Sequence, residues 1–118
     1  MRPVPLPPGW GVAALLDAAE AATAWPDATR SYDHGGACLA WRAPQGHAAA
    51  CDMERLDKDT GTLPFTLRDW VALESDAKLH DVPVVLWAKG AGRAGSTPSD
   101  LLVQEWGGRV LAFRRRPA

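Results

Sequence analysis

The sequence has few of the residues on which disulfide-bonded and zinc-binding proteins depend. Its 118 residues include two cysteines, Cys38 and Cys51, and three histidines. The common zinc sites need four Cys or His ligands at characteristic spacings, and this chain has no second cysteine pair and no histidines spaced as ligands. We see no export signal, so we expect both thiols to remain reduced. The sequence therefore argues against a disulfide-bonded scaffold and against a zinc finger.

Long apolar runs are also absent. No stretch approaches the roughly 18 to 20 apolar residues that a membrane-spanning helix requires. The opening segment, MRPVPLPPGW, has prolines where a signal peptide would need an apolar helix. We therefore expect a cytoplasmic protein without a membrane partner.

A strong net charge is the third absence, because 13 Lys and Arg oppose 14 Asp and Glu. The distribution is uneven: residues 1–86 hold 7 basic and 12 acidic side chains, whereas residues 87–118 hold 6 basic and 2 acidic ones. The C-terminal part is therefore the predicted contact for an anionic partner such as DNA, unless it is only a solvated tail. The candidate nucleic-acid-binding residues are Arg93, Arg109, Arg114, Arg115 and Arg116.

The length and the 47 % hydrophobic content predict one domain over residues 1–118 with a single core. Residues 1–10 are predicted to form a proline-rich N-terminal arm, and residues 114–118 a basic C-terminal tail. Six tryptophans are unusual beside two Phe and one Tyr. Trp10, Trp25 and Trp106 flank predicted loops, where they either complete the core or offer stacking platforms for bases.

Hydrophobic periodicity predicts two helices. The alanine-rich segment from Gly11 to Ala24 places apolar residues on one stripe and is predicted to be the first helix. A second helix is predicted over residues 67–80, with Thr66 and Asp69 as its N-terminal capping pair.

Strands are predicted between and after these helices. ACLAWRA-PQG-HAAACDMERL is typical of a hairpin whose alternation places Leu39 and Trp41 on one face together with Cys51 and Met53. VPVVLWAK predicts a buried central strand, and LLVQEW-GG-RVLAFRR a second hairpin around a Gly-Gly turn. The predicted fold class is α/β (α+β), with a mixed sheet of about five strands and two helices in the order α-β-β-α-β-β-β.

The acidic end of the first hairpin carries the clearest chemistry. Asp52 and Glu54 are separated by one residue, so on a strand their side chains leave the same face roughly 7 Å apart and can approach one divalent cation. A third acid from the preceding loop, either Asp33 or Asp27, would complete an oxygen site suited to Mg²⁺ or Mn²⁺. Such a cation can activate water and offset charge on a phosphodiester.

This order of elements is similar to the core of the PD-(D/E)XK nuclease superfamily, and most of all to small phage and archaeal members related to Holliday-junction resolvases. The similarity covers residues 11 to about 113 in element order and is specific over FTLRDWVALESDAKLHDVPVVLWAK, residues 65–89. It implies a restriction-endonuclease-like core in which Asp33 and the triplet Asp52-Met53-Glu54 hold the metal. The family usually has lysine where this chain has Glu54, so Lys78 is the candidate that supplies an ammonium group.

Three hypotheses of function follow. The first is a Mg²⁺- or Mn²⁺-dependent endonuclease acting on branched or structured DNA, or a relative of the same fold that has lost its chemistry, with Asp33, Asp52, Glu54 and Lys78 as catalytic residues. The second is a non-enzymatic protein-interaction module of a phage or other mobile element. The third is a structural subunit that self-associates, for example as a homodimer, through the edge strands of its hairpins.

Overall fold

The computed structural model describes residues 1–33, 35–57, 66–82 and 99–117. These residues form two helices and two antiparallel sheets, so the α+β class and the two helices are confirmed. The strands are β1 Arg2–Val4, β2 Val12–Asp17, β3 Thr29–Tyr32, β4 Ala37–Arg42, β5 His47–Arg55, β6 Asp100–Trp106 and β7 Arg109–Pro117, and the helices are α1 Ala18–Ala24 and α2 Leu67–Leu79. The predicted strand VPVVLWAK, with Trp87, and the glycine-rich loop that carries Arg93 lie outside the described residues.

The two sheets pack face to face, and each is covered by a helix on its other side. The first sheet has the strand order β1-β2-β4-β3 and the second the order β5-β7-β6. A core of nine buried side chains fills the space between them: Val4, Ala13, Leu15, Leu39, Trp41, Cys51, Met53, Leu111 and Phe113. Helix α1 covers the outer face of the first sheet, and α2 packs through Val71 on Val110 and Ala112 of the second. The prediction of one mixed sheet of about five strands is therefore wrong for the described strands.

The first half of the predicted helix over residues 11–24 is a strand in the structure. Residues Val12–Asp17 pair with β1 on one side and β4 on the other, and the helix begins only at Ala18. Both faces of this strand are buried, because Ala13 and Leu15 face the inter-sheet core while Ala14 and Leu16 face α1. A strand that is buried on both faces shows no alternation of apolar and polar residues, so its alanines and leucines resemble a helix.

The predicted hairpin of residues 37–55 is also wrong in its pairing, although the assignment of its faces is confirmed. Strand β4 pairs with β2 and β3, whereas β5 pairs with β7, so the Pro-Gln-Gly connection carries the chain from one sheet to the other. Leu39, Trp41, Cys51 and Met53 do share one core. Cys38 belongs to the α1 side of the first sheet, and both cysteines are free and buried, as expected.

The chain ends are strands rather than an arm and a tail. Residues Arg2–Val4 pair with β2 at the edge of the first sheet. The three consecutive arginines, Arg114 to Arg116, continue β7 and lie opposite Ala50, Ala49 and Ala48 of β5. The C-terminal hairpin itself is confirmed, with Gly107 and Gly108 at positive φ between β6 and β7.

Helix α2 begins with the predicted capping pair. The Asp69 backbone N–H donates to Thr66 Oγ1 at 3.1 Å, and the Thr66 backbone N–H donates to Asp69 Oδ2 at 3.4 Å. These bonds satisfy two backbone donors that the helix itself leaves without an acceptor. The cap therefore fixes the start of the helix that carries Glu74 and Lys78.

We expect Thr66→Ala to lower the free energy of unfolding by about 1 kcal/mol, because it removes the side-chain acceptor of the cap. Chemical denaturation of the purified protein measures the change. Thr66→Ser keeps a hydroxyl in the same place and should lose at most a few tenths of that amount. Equal losses in both variants would show that the threonine methyl group, and not the hydrogen bond, stabilises this end of the helix.

Candidate functional site

A cleft of about 890 Å³ lies where β3 and β5 meet α2. It is lined by Arg30, Ser31, Tyr32, Asp33, Asp52, Met53, Glu54, Arg55, Asp57, Glu74 and Lys78. Sites that bury one small ligand have volumes of about 300 to 1,000 Å³, so the cleft is large enough for one. Five carboxylates and three basic side chains among the lining residues make it strongly polar.

Asp52 lies at the bottom of this cleft. Its position in β5 points the side chain towards α2, opposite Ala112 of β7, and leaves the side chain only 4 % exposed. Asp52 Oδ1 accepts hydrogen bonds from Lys78 Nζ at 2.9 Å and from Ser31 Oγ at 3.3 Å. A buried carboxylate of this kind is stable only when it is paired.

Lys78 is held by contacts on three sides. Besides the bond to Asp52, its Nζ donates to the Cys51 carbonyl at 3.1 Å and to Ser31 Oγ at 3.3 Å. An ammonium group has three N–H donors, so these contacts use all of them. Lys78 therefore brings an ammonium group to the acidic residues from α2 and fixes the position of Asp52.

Glu74 joins the two predicted acids. One carboxylate oxygen from each of Asp52, Glu54 and Glu74 can be chosen so that all three oxygens lie within 4.8 Å of one another. Asp52 and Glu54 share a face of β5 because of the two-residue period of a strand. Glu74 lies one helical turn before Lys78 on α2, which places both on the side of the helix that faces β5. The three carboxylates come from two elements that pack directly on each other.

The close approach of these carboxylates changes their acidity. Burial, together with the charges of Asp52 and Glu54, raises the pKa of Glu74 to about 8, although Lys78 opposes the change. Burial also raises the pKa of Asp52, again against the opposing charge of Lys78. At neutral pH the cluster therefore favours holding a proton, or another cation, between its oxygens.

One buried oxygen in the cluster has no donor. Asp52 Oδ2 is inaccessible to solvent and accepts no hydrogen bond from any residue that the structure describes. The neighbouring Glu74 carboxyl, with which Asp52 interacts, can donate to it only when it is protonated. A divalent cation satisfies the same oxygen without a proton, because hard cations prefer carboxylate oxygens. The donor set of three carboxylates therefore fits Mg²⁺ or Mn²⁺.

Asp33, the predicted third ligand, lines the same cleft but is bound elsewhere. Its Oδ1 accepts from the backbone N–H groups of Gly35 at 2.9 Å and Ala37 at 3.0 Å, and its Oδ2 accepts twice from the Arg109 guanidinium, at 3.0 and 3.1 Å. Burial alone would raise the pKa of Asp33, but these hydrogen bonds and the Arg109 charge lower it. The other candidate, Asp27, pairs with Arg42 at 3.1 Å. The structure therefore groups Asp52 and Glu54 with Glu74 instead of with Asp33 or Asp27.

Three of the predicted nucleic-acid-binding arginines, Arg109, Arg114 and Arg115, make intramolecular contacts. Arg109 pairs with Asp33. Arg114 donates to Ser75 Oγ, to Ser99 Oγ and to the Ala72 carbonyl, so it connects β7 to α2. Arg115 donates to the Gly9 carbonyl. The side chains of Arg109, Arg114 and Arg115 are only 20 %, 14 % and 16 % exposed.

The three tryptophans near loops have arginines over their rings. Arg115 lies 3.9 Å from the ring centroid of Trp10, Arg42 lies 4.3 Å from that of Trp25, and Arg2 lies 4.7 Å from that of Trp106. Such cation–π contacts cover one face of each ring. A base could stack on that face only after displacing the arginine.

Comparison of the chain with family models, with curated proteins and with solved structures found no match in any of the three. The two described helices are too short to cross a membrane. The proposed chemistry of the chain therefore rests on the geometry of its own residues.

Proposed function

We propose that this protein is a divalent-cation-dependent nuclease, with the cation held by Asp52, Glu54 and Glu74. The observation that carries the proposal is the convergence of one oxygen from each of Asp52, Glu54 and Glu74, together with the buried Asp52 Oδ2, which accepts no hydrogen bond from the described residues while Glu74 is ionised. The Asp52-Met53-Glu54 triplet, for which the sequence resembles the PD-(D/E)XK superfamily, supplies two of the three ligands. Glu74 takes the place that the resemblance gives to Asp33.

Each residue of the cleft has a distinct part in this proposal. Asp52 is the fixed ligand, because Lys78 and Ser31 donate to its Oδ1 and leave its buried Oδ2 to the cation. Glu54 and Glu74 are half-buried and complete the oxygen set from β5 and α2. Lys78 is a positioning residue. A bound cation would supply Lewis-acid activation of water and of the phosphoryl oxygen at this point of the cleft.

The charge of the cleft supports cation-dependent binding of a phosphodiester. The described lining residues carry five carboxylates and three basic groups, and Arg109, which pairs with Asp33, brings the basic groups to four. With Glu74 protonated, as its raised pKa of about 8 favours, the acidic and basic charges of the cation-free cleft balance. A divalent cation that displaces this proton gives these groups a net positive charge, which attracts a phosphodiester. The cation should therefore be needed for substrate binding as well as for the reaction.

The first test of this proposal is cation binding, measured by titration calorimetry with Mn²⁺ and with Mg²⁺. We expect Glu54→Gln and Glu74→Gln each to weaken Mn²⁺ binding by at least about tenfold, because disturbing even the partner of a metal ligand costs about 10- to 100-fold. Cleavage of labelled junction, duplex and single-stranded DNA in Mg²⁺ and Mn²⁺ should fall with the affinity. Glu54→Gln removes a charge from a crowded acidic cluster, and Glu74→Gln resembles the neutral form that the raised pKa of Glu74 favours, so neither should lower the thermal midpoint.

Asp57→Asn is the matched control for these variants. Asp57 lines the same cleft and loses the same charge, but its carboxylate is 69 % exposed and pairs with Arg55 outside the acidic cluster. It should retain wild-type Mn²⁺ affinity. Wild-type protein that binds neither cation would refute the proposal, and a stable dimer by light scattering in the same sample would favour the interaction module. Equal losses of Mn²⁺ affinity in Asp57→Asn and Glu74→Gln would show that the affinity depends on the total charge of the cleft and not on coordination by Glu74.

A further inference from the structure

Tyr32 is an exposed aromatic side chain on the wall of the acidic cleft. It is the last residue of β3, where it pairs with Cys38 of β4, and it is 54 % exposed. Ser31, immediately before it, points inward and donates to Asp52. Ser31 therefore contacts the acidic cluster, and Tyr32, on the other face of the strand, lines the same cleft with an exposed side chain.

The other aromatic rings near the surface of the described chain are less open than Tyr32. Trp10, Trp25 and Trp106 each lie under an arginine, and Trp41 is fully buried. Tyr32 is the only aromatic residue among the described residues that line the cleft, so a base that enters the cleft can meet this ring. Stacking on such rings is tolerant of sequence, since every base has a π face.

Two basic residues line the cleft together with Tyr32. Arg30 precedes it by two residues on β3 and so shares its face of the strand, where its guanidinium donates to the Pro26 carbonyl at 3.2 Å. Arg55 belongs to β5. Arg55 is 56 % exposed, and its ion pair with Asp57 is a surface pair that a phosphate could replace at little cost. The cleft thus offers a ring for a base and guanidinium groups for the adjoining phosphates.

The cleft is large enough, at about 890 Å³, to accommodate a single nucleotide beside these groups. A base in a duplex would have to leave the stack to reach Tyr32, at a cost of a few kcal/mol that an unpaired base does not incur. The stacking ring therefore discriminates in favour of unpaired nucleotides.

We propose that the cleft binds an unpaired nucleotide, with its base stacked on Tyr32 and its phosphate directed to the Asp52-Glu54-Glu74 cluster. The inference rests on the proposed cation-dependent function and specifies its substrate class: single-stranded nucleic acid or the unpaired strand of a branched structure. Tyr32 is then the residue that sets specificity, while the acidic cluster holds the cation.

Fluorescence anisotropy in Ca²⁺ and in Mn²⁺ tests the inference with three labelled probes: a 12-residue oligothymidine, the same length of abasic strand, and a matched duplex. The wild type should prefer the oligothymidine to both other probes. Tyr32→Ala should weaken oligothymidine binding by about 5- to 100-fold, the contribution of one stacked base, and should leave abasic and duplex binding unchanged. Tyr32→Phe retains the ring and should bind as the wild type does.

Val12→Ala is the control for loss of an exposed apolar side chain outside the cleft, since Val12 is 59 % exposed at the start of β2. It should not change binding of any probe. The inference would be overturned if the wild type bound oligothymidine and the abasic strand equally well. It would also be overturned if Tyr32→Ala bound oligothymidine as tightly as the wild type does. In that case Mn²⁺ titration separates the two ideas: retained cation binding and cleavage leave the proposed nuclease intact, whereas their absence refutes it too.

Discussion

We expect Trp41→Ala to lower the free energy of unfolding by about 3–5 kcal/mol, the range for truncation of a large buried aromatic side chain. Trp41 is fully buried in the core between the two sheets. Its ring meets Phe113 of β7 edge to face with centroids 5.3 Å apart, and its Nε1–H donates to the Trp10 carbonyl at 2.7 Å. Denaturation with urea, followed by tryptophan fluorescence and by circular dichroism, measures the loss.

Trp41→Phe separates packing from the hydrogen bond. Phenylalanine keeps a ring against Phe113 but leaves the Trp10 carbonyl without its donor, so we expect a smaller loss of about 1–3 kcal/mol. This ordering follows from Trp41 being the largest side chain that joins one sheet to the other. A loss below about 1 kcal/mol for Trp41→Ala would contradict the two-sheet core described here.

The faces of the strands could be predicted from the sequence, whereas their partners could not. The alternation along residues 37–55 places Leu39 and Trp41 with Cys51 and Met53, and the structure confirms that grouping. Pairing is a non-local property: β5 finds its partner in β7, whose residues Arg109–Pro117 lie more than fifty positions later. A short Pro-Gly connection predicts a hairpin equally well when the chain instead crosses between sheets.

The failed helix prediction for residues 12–17 has a different cause. Alanine and leucine have high intrinsic helix propensity, and propensity is a weak guide where tertiary contacts decide. Here Ala13 and Ala14 are small enough to let a helix and a second sheet pack on opposite sides of one central strand. The sequence of this segment is compatible with a helix and with a strand, and contacts with both packing partners select the strand.

Some residues of the candidate site could likewise be predicted from the sequence, and others could not. Asp52 and Glu54 could be recognised because a strand puts them on one face, and this local rule needs no knowledge of the rest of the fold. Glu74 could have been found from its spacing of four residues to Lys78, which places it on the same side of α2. Asp33 could not have been set aside from the sequence, because the guanidinium that holds it belongs to Arg109, 76 positions later.

We expect the cation-free protein to lose stability as the pH rises from about 5 to about 8, through the titration of Glu74. Its pKa is raised from an ordinary value of 4.5 to about 8, first by burial and then by Asp52 and Glu54. The folded protein therefore binds this proton more tightly than the unfolded chain does, so the stabilisation is complete below about pH 4.5 and is lost as the pH passes 8. The raised pKa of Asp52 acts in the same direction.

The expected loss is about 2 kcal/mol, less than the full shift would give in a dry site because Glu74 is only half-buried. Urea denaturation in excess chelator at pH 5, 6, 7 and 8 measures it. Glu74→Gln carries a permanent neutral donor beside Asp52, so most of the slope should disappear and the variant should be more stable than the wild type at pH 8. Glu20→Gln, which removes an exposed acid of α1, should keep the wild-type slope. An unchanged slope in Glu74→Gln would show that this carboxyl does not hold the proton of the cluster, and that Asp52 Oδ2 is satisfied in another way.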